Sequence, residues 1–149
     1  MEVIQYGLCL EKDKYLSQIE NSEWRAAKYL VTLLKENRLQ DELGGWAKLF
    51  LLIDGDALVS FVTFSAQDCI SDFNLTPWFG FLHTRPEYRG NHYGKLLIDR
   101  VCDFARIDGY KSVYIATDHI GLYEKYGFSY LENRIDNWGV DSRIYKREI

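Results

Sequence analysis

The chain has 149 residues, of which 47% are apolar and 27% are charged, and its formal net charge is −4. This length and composition predict one globular domain over residues 1–149, and the acidic balance argues against a nucleic-acid binder, which normally carries a basic face. The amino-terminal segment lacks the basic start of a signal peptide, and no stretch approaches the ~18 apolar residues of a membrane span, so we expect no membrane partner.

The first half of the chain predicts a strand, a helix and a strand hairpin. The segment "EVIQYGLCL" alternates as a strand does, and "SEWRAAKYLVTLLKENR" has apolar residues at helical spacing behind Ser22, which can cap the helix. Gly44 and Gly45 then break the helical pattern. The strand-like segments "AKLFLLI" and "ALVSFVTFSAQ" follow, and the "DGD" between them is a strong hairpin signal.

The second half alternates strands and helices. "PWFGFLHT" is a short apolar run that suits a strand, and "KLLIDRVCDFARIDG" predicts a helix that Gly109 ends. "KSVYIAT" predicts a strand, "DHIGLYEKYG" a short helix ending at Gly127, and "FSYLE" and "SRIYKRE" two closing strands. The order predicts an α/β fold with a mixed sheet and helices on both faces.

The turn between "PWFGFLHT" and the following helix has the features of an anion site. Arg89 and Lys95 flank the helix start, and residues 88–98 contain no Asp or Glu, although the exposed N–H groups of a helix start favour an acid. Glycines there let a phosphate approach the backbone. The dinucleotide fingerprint is absent, and Gly90 and Gly94 lie one residue too close for a nucleotide P-loop. Of the phosphate ligands considered, a pyrophosphate bound without a metal remains as the candidate for this turn.

The same turn carries a family motif. "RGNHYG", Arg89 to Gly94, resembles the acyl-CoA loop of the GNAT acetyltransferases, whose pattern is Arg/Gln-x-x-Gly-x-Gly/Ala, and "YEKYGF", Tyr123 to Phe128, is similar to the family's second signature. The resemblance covers residues 57–131. It implies a single GNAT-like domain with a mixed, mostly antiparallel sheet in which two central strands splay apart. His92 stands where the family has its middle glycine, so either His92 accepts a strained backbone or the turn is altered, and its imidazole could contact a phosphate.

The resemblance implies acetyl-CoA as the acyl donor, with no metal. The strand end formed by Leu82, His83 and Thr84 would lie along the pantetheine arm, and the N–H of Leu82 or His83 would hydrogen-bond the thioester carbonyl. The residues implied around the pyrophosphate, mainly through their main-chain N–H groups, are Arg89, Gly90, Asn91, His92, Tyr93, Gly94 and Lys95.

The implied reaction is direct transfer of the acetyl group to a primary amine, which requires no nucleophilic residue. Tyr123 holds the family's general-acid position and would reprotonate the leaving thiolate. The base is left open: His83 is the titratable side chain of the strand end, Asp72 is a weaker candidate, and a water chain could serve instead. The three cysteines lack metal-ligand spacing and are interpreted as reduced core or surface thiols, so we expect a cytoplasmic protein.

The acceptor stays open among small amines, amino acids, aminoglycosides and protein N-termini. Aromatic and acidic side chains outside the motifs could hold a cationic amine or could be ordinary core and surface residues. They are Trp24, Asp41, Glu42, Trp46, Phe73, Trp78 and Trp138. Two alternatives to an N-acetyltransferase of a small-molecule or peptide amine remain: a non-catalytic acyl-CoA-binding sensor or interaction module with the same fold, and an unrelated phosphate-binding domain. A homodimer is also left open.

Overall fold

The computed structural model describes residues 1–72 and 74–149, so Phe73 lies outside the described residues. Within that part, the chain forms seven strands and four α-helices. The strands are β1 (Glu2–Gln5), β2 (Lys48–Asp54), β3 (Ala57–Ser65), β4 (Trp78–Thr84), β5 (Ser112–Thr117), β6 (Ser129–Ile135) and β7 (Asp141–Glu148). The helices are α1 (Lys12–Glu20), α2 (Arg25–Lys35), α3 (Leu39–Leu43) and α4 (Tyr93–Ile107), and short 3₁₀ turns cover Tyr6–Leu8, Pro86–Tyr88 and Tyr123–Tyr126. None of the described helices has the length and apolarity needed to cross a membrane.

The strands form one sheet in the order β1-β2-β3-β4-β5-β7-β6. Neighbouring strands are antiparallel except β4 and β5, which run parallel. Within the described residues, β4 pairs with β5 only at Trp78–Tyr114 and Phe79–Ile115, although β4 continues to Thr84. The two strands therefore separate after Phe79. The predicted mixed, mostly antiparallel sheet with a splayed central pair is confirmed.

Helices cover both faces of the sheet because successive side chains of the central strands point to opposite sides. On β2, Leu49 and Leu51 belong to the core cluster formed with α1, α2 and α3, whereas Phe50 and Leu52 belong to the cluster formed with α4. Fully burying one such side chain contributes about 1.5–3 kcal/mol relative to leaving it exposed. The predicted placement of helices on both faces is confirmed, and it fixes β4 between two separate layers of side chains.

The amino-terminal region differs from its prediction. The first strand was expected over nine residues, but β1 ends at Gln5, a 3₁₀ turn follows, and α1 covers a segment that carried no prediction. The helical signal of α1 is weak, because Tyr15 and Ile19 are its buried residues and Glu11 makes no side-chain cap at its start. Two buried positions one turn apart are too few to reveal a helix by periodicity.

Two other local predictions need correction. α2 begins at Arg25 rather than at Ser22, whose hydroxyl instead accepts a hydrogen bond from the Trp24 N–H at 3.1 Å. The predicted short helix before Gly127 is reduced to the 3₁₀ turn Tyr123–Tyr126. Gly127 ends that turn with a φ of 89°, a backbone conformation that glycine adopts without strain.

Candidate functional site

A cleft of about 860 Å³ lies where β4 and β5 separate. Its lining comes from the end of β4, the β4–α4 turn, the start of α4, the loop between α1 and α2, and the Tyr123–Tyr126 turn. The residues predicted at the cofactor that line this cleft are Leu82, His83, Thr84, Arg89, Gly90, His92, Tyr93 and Gly94. Tyr123, the predicted general acid, lines it as well, whereas Asn91 and Lys95 do not.

The turn from β4 into α4 presents a row of free backbone N–H groups. Gly90 has a φ of 86° and His92 a φ of 60°, and α4 begins directly after His92. No acceptor within residues 1–72 and 74–149 bonds to the N–H groups of residues 90–95, and the first main-chain bond at this helix start runs from Leu96 N–H to His92 O at 3.0 Å. Such a row of N–H groups at a helix start attracts an anion.

His92 and Asn91 set the shape of this turn. His92 takes the positive φ that the family's middle glycine would take, which confirms the strained-backbone alternative; the strain is about 1–2 kcal/mol for a non-glycine residue. Its imidazole is exposed and makes no cap hydrogen bond to the described residues, so the phosphate contact stays a prediction. The Asn91 amide donates to Tyr88 O at 3.2 Å and to Arg89 O at 3.3 Å, and these bonds stabilise the turn from within.

The two cationic side chains of the turn differ in their freedom to meet an anion. Arg89 is exposed, and its Nε donates to Thr84 O at 3.0 Å, while its terminal nitrogens have no acceptor in the described part of the chain. Lys95 forms an ion pair with Asp99 at 2.7 Å, and Asp99 also pairs with Arg147 at 2.7 Å. Lys95 is therefore placed to meet an anion through its main-chain N–H rather than through its ammonium group.

A β-bulge turns the end of β4 toward the gap. The register with β3 slips at Phe81, whose φ is 50°. Beyond the bulge, Arg85 N–H donates to a carbonyl of β3 at 3.0 Å. Because successive residues of a strand direct their N–H groups to opposite edges, Leu82 and Thr84 direct theirs into the gap, whereas His83 directs its N–H toward β3.

The His83 imidazole lies against the α1–α2 loop. Its ring stacks on Trp24, with 5.1 Å between ring centroids and an interplanar angle of 10°, and its Nε2 lies 3.3 Å from Ser22 Oγ. Burial of the ring, and in second place the positive charge of Arg89, lower the pKa of His83 below its ordinary value. The ring is therefore neutral near pH 7 and can accept a proton.

The Tyr123 phenol reaches the cleft from the opposite side. The side chain is 6% exposed, and its ring packs on Tyr126, Phe128 and Tyr145 at centroid distances of 5.7, 6.0 and 6.3 Å. Its hydroxyl makes no hydrogen bond to the described residues. Burial first, and then Tyr126 and Asp118, raise the pKa of Tyr123 above its ordinary value, so the phenol keeps its proton at physiological pH.

Three other predicted residues lie away from this cleft. The Asn74 N–H and the Arg134 guanidinium hold the pKa of Asp72 below its usual range, which makes Asp72 a poor base. Trp78 is fully buried in the sheet core. Trp46 packs on aromatic rings of the α4 side of the sheet and has no access to the gap.

A second cavity, of about 400 Å³, lies on the face of β4 that α2 and α3 cover. It is lined by Trp24, Ala26, Tyr29, Leu33, Glu42, Leu43, Asp68, Cys69, Phe81, Asn137 and Trp138. Three residues predicted at the acceptor, Trp24, Glu42 and Trp138, are brought together here. Asp68 and Phe81 were missed by sequence reasoning, because neither belongs to a motif and no pattern marks the bulge at Phe81.

The fold and the cleft define a class of protein. A helix start that is ready for a phosphate, beside two strands that splay apart, is the arrangement expected of an acyl-CoA-dependent transferase. The sequence model of the acetyltransferase (GNAT) family matches residues 13–128, and the chain belongs to this family. The family predicted from the two motifs is therefore confirmed.

Solved structures share this fold at low sequence identity. An aminoglycoside 6'-acetyltransferase type Ii has a TM-score of 0.73 and 17% identity, over 99% of this chain and 97% of that chain. An aminoglycoside 6'-N-acetyltransferase complexed with coenzyme A has a TM-score of 0.69 and 13% identity, over 99% and 97%. A GNAT family acetyltransferase from Elizabethkingia anophelis with acetyl-CoA bound has a TM-score of 0.63 and 15% identity, over 99% and 97%. These likenesses establish the fold. A comparison with curated proteins finds no match.

Proposed function

We propose that the protein is an N-acetyltransferase that moves the acetyl group of acetyl-CoA directly to a primary amine, with residues 1–149 acting as one domain and without a metal. The observation that carries this proposal is the row of N–H groups over residues 90–95, which have no acceptor among residues 1–72 and 74–149 and which adjoin the gap between β4 and β5. In a member of the GNAT family, this row offers a place for a diphosphate next to a place for a thioester.

The residues of the turn fit the donor. The N–H row would bind the pyrophosphate of acetyl-CoA, and Arg89 would add charge-assisted hydrogen bonds through its free nitrogens. A Cβ on Gly94 would lie 3.4 Å from Tyr126 Oη and 3.5 Å from Thr84 Oγ1, so glycine keeps the passage from the turn to β4 open for the pantetheine arm. Two structural relatives, crystallised with coenzyme A and with acetyl-CoA, support this assignment.

The end of β4 would stabilise the reacting carbonyl. Leu82 is favoured over His83 as the donor, because the bulge directs the Leu82 N–H into the gap and leaves the His83 N–H facing β3. There the Leu82 N–H would donate to the carbonyl oxygen as negative charge develops on it. Removal of one such donor typically costs about 2.7–4 kcal/mol of transition-state stabilisation.

Two side chains on opposite sides of the gap would handle the protons. Acetyl-CoA supplies an activated acetyl group: the amine nitrogen bonds to its carbonyl carbon, and the carbon–sulfur bond breaks. His83, whose ring is neutral, would accept the proton that the amine loses, directly or through a water. Tyr123, whose phenol is protonated, would give a proton to the leaving sulfur, and solvent would restore both side chains.

Free-thiol release from acetyl-CoA across a panel of primary amines tests this function. We expect turnover with at least one amine, together with coenzyme A binding that neither ATP nor NAD competes away. Coenzyme A binding without turnover on any amine would support the non-catalytic acyl-CoA-binding module instead. Absence of coenzyme A binding would overturn the donor site and favour an unrelated phosphate-binding domain.

The location and the partners belong to the same proposal. Cys9, Cys69 and Cys102 are all unpaired, which supports a reducing compartment and hence the cytoplasm. The partner would be an amine on a small molecule or a peptide, and a homodimer stays a prediction.

A further inference from the structure

We propose that the second cavity is the acceptor site, and that it takes a primary amine carried on a flat apolar body, such as an aryl-alkyl amine. This inference rests on the proposed function, because it assigns the amine which that function requires.

The cavity adjoins the place where the acetyl group would lie. Trp24 lines both the cleft and the cavity, and its ring stacks on His83. Phe81, which also lines the cavity, directly precedes Leu82 and its N–H in the gap. An amine that projects from the cavity past Trp24 and Phe81 would therefore meet the carbonyl from the α2 side of β4.

The lining selects for a flat apolar body. Four aromatic side chains contribute to it, and Phe81 lies 6.4 Å from both Trp24 and Tyr29 between ring centroids. Flat rings pack well among such side chains, and a cationic amine gains from aromatic faces. A polyhydroxylated acceptor such as an aminoglycoside would leave hydroxyl groups without partners here, at about 1–3 kcal/mol for each buried group. The acceptor that this chain prefers should thus differ from the aminoglycoside acceptor in the name of its structural relative, aminoglycoside 6'-acetyltransferase type Ii.

Asp68 supplies the charge that would attract the protonated amine into the cavity, from which the amine would advance past Phe81 and lose its proton before it meets the carbonyl. Its side chain is partly buried in the cavity lining, and no Lys, Arg or His of the described residues forms an ion pair with it. Glu42, the other carboxylate of the lining, is exposed and pairs with Arg38 at 3.5 Å. Burial raises the pKa of Asp68 to about 6, and contacts with the Cys69 N–H and thiol offset part of that rise. A bound ammonium would supply the missing counter-charge.

A second polar side chain, Thr63, lies beside Gly80 on the same side of β4 as the Asp68 carboxylate. A Cβ on Gly80 would collide with Asp68 Oδ1 and would lie 2.9 Å from Thr63 Oγ1, so both side chains lie directly over the backbone of β4. Thr63 is fully buried, and its hydroxyl has no hydrogen-bond partner in the described part of the chain. Of these two side chains, Asp68 lines the cavity, so it is the one that an amine there can contact.

Cys69 does not turn this cavity into a nucleophilic site. Burial first, and then the charge of Asp68, raise the pKa of the Cys69 thiol well above its ordinary value. A thiol that stays protonated is a poor nucleophile. The cavity therefore fits the binding of an amine and not the formation of an acyl-cysteine.

Steady-state kinetics with 2-phenylethylamine, glucosamine and kanamycin would test the assignment. We expect kcat/KM for 2-phenylethylamine to exceed that for the two polyhydroxylated amines by at least ~10-fold. Asp68→Asn should raise KM for 2-phenylethylamine by roughly 10- to 100-fold, as expected for the loss of a charged hydrogen-bond partner, with coenzyme A affinity within twofold of the parent. Trp138→Ala, at a side chain that is 69% exposed, should raise the same KM without endangering the fold. Asp103→Asn, an exposed carboxylate on α4, is the matched control and should change neither value.

The failure of this inference is distinguishable from the failure of the proposed function. Turnover that prefers kanamycin, or a KM for 2-phenylethylamine that stays within twofold in both Asp68→Asn and Trp138→Ala, would overturn the acceptor site and leave the acetyltransferase intact. Binding is followed separately, by quenching of tryptophan fluorescence with 2-phenylethylamine in the absence of acetyl-CoA. Saturable quenching that Asp68→Asn weakens and Asp103→Asn does not would support the site even if no thiol were released. Quenching that is absent, or equal in both variants, would overturn it.

Discussion

The proposed donor site and the proposed acceptor site lie on opposite sides of β4 and are built in different ways. The donor site is one run of the chain, residues 85–95, and it binds mainly through main-chain N–H groups. The acceptor cavity collects side chains from α2, α3, the 68–69 segment, β4 and the β6–β7 hairpin. A site made of consecutive backbone leaves a pattern in the sequence, whereas a site made of scattered side chains does not. The two sites should therefore respond to different kinds of substitution.

Gly94→Asp should have the largest effect, and only on the donor side. A side chain there would fill the passage between Tyr126 and Thr84, and a carboxylate would oppose the pyrophosphate. An acid in the first turn favours the helix itself, so α4 should still form. We expect coenzyme A to bind at least ~100-fold more weakly, as measured by isothermal titration calorimetry.

Gly45→Asp is the matched control for that substitution. A Cβ on Gly45 would have no atom of the described residues within 4 Å, and the φ of Gly45 is not positive, so an aspartate there would meet none of them closely. Its coenzyme A affinity should equal that of the parent. Equal affinities for Gly94→Asp and the parent protein would contradict the donor site at the β4–α4 turn.

Tyr123→Phe should have the next largest effect, on the chemical step alone. The substitution removes the hydroxyl and keeps the ring that packs on Tyr126, Phe128 and Tyr145. Loss of a general acid typically lowers the rate by about 100- to 10,000-fold, and we expect kcat near the lower figure because water can also protonate the sulfur. Stopped-flow thiol release measures the rate, and coenzyme A affinity should stay within twofold. Tyr110→Phe is the control, because Tyr110 is a half-buried phenol that packs on Trp46 away from the cleft. A kcat that falls equally in both variants would argue against a specific acid role for Tyr123.

Gly80→Ala should have a smaller effect, and only on the acceptor side. The added methyl group would displace the Asp68 carboxylate and crowd the Thr63 hydroxyl, while the turn that binds the donor is untouched. We expect KM for the amine to rise by about tenfold, with coenzyme A affinity within twofold. Gly45→Ala serves as the control. An unchanged amine KM together with an unchanged coenzyme A affinity would separate Asp68 from acceptor binding.

The difference between a site of consecutive backbone and a site of scattered side chains also explains which features could be predicted from the sequence. The "RGNHYG" and "YEKYGF" motifs carried the resemblance that implied the family and the splayed sheet. The turn at the start of α4 could also be predicted from its own residues, because it depends on local backbone that few residue types can form. The prediction failed where local signal is weak, as in α1, whose burial rests on Tyr15 and Ile19. It also failed where position depends on distant partners. Nothing local marks Phe81 as a bulge residue or places Asp68 over Gly80, since both depend on how β3 and β4 pair.

The smallest expected effect is that of Asp68→Asn on the free energy of unfolding. It tests a residue of the acceptor cavity without any ligand and does not involve the donor site. Because burial raises the pKa of Asp68 to about 6 in the folded protein, above its value in the unfolded chain, the folded state binds more protons between about pH 4 and 6. The free energy of unfolding contributed by this group is therefore greatest at low pH and falls as the pH rises through about 6. Asp68→Asn should remove this loss of stability at higher pH. At about pH 7.5 the free energy of unfolding of the variant should exceed that of the parent by about 1–2 kcal/mol. This figure is smaller than the full pKa shift of Asp68 implies, because the side chain is partly exposed. Urea unfolding at about pH 4.5 and about pH 7.5 measures the difference, which should shrink toward zero at the lower pH. A parent that is more stable than Asp68→Asn at the higher pH would mean that the carboxylate already has its counter-charge within the protein, and an ammonium ligand would then have nothing to neutralise.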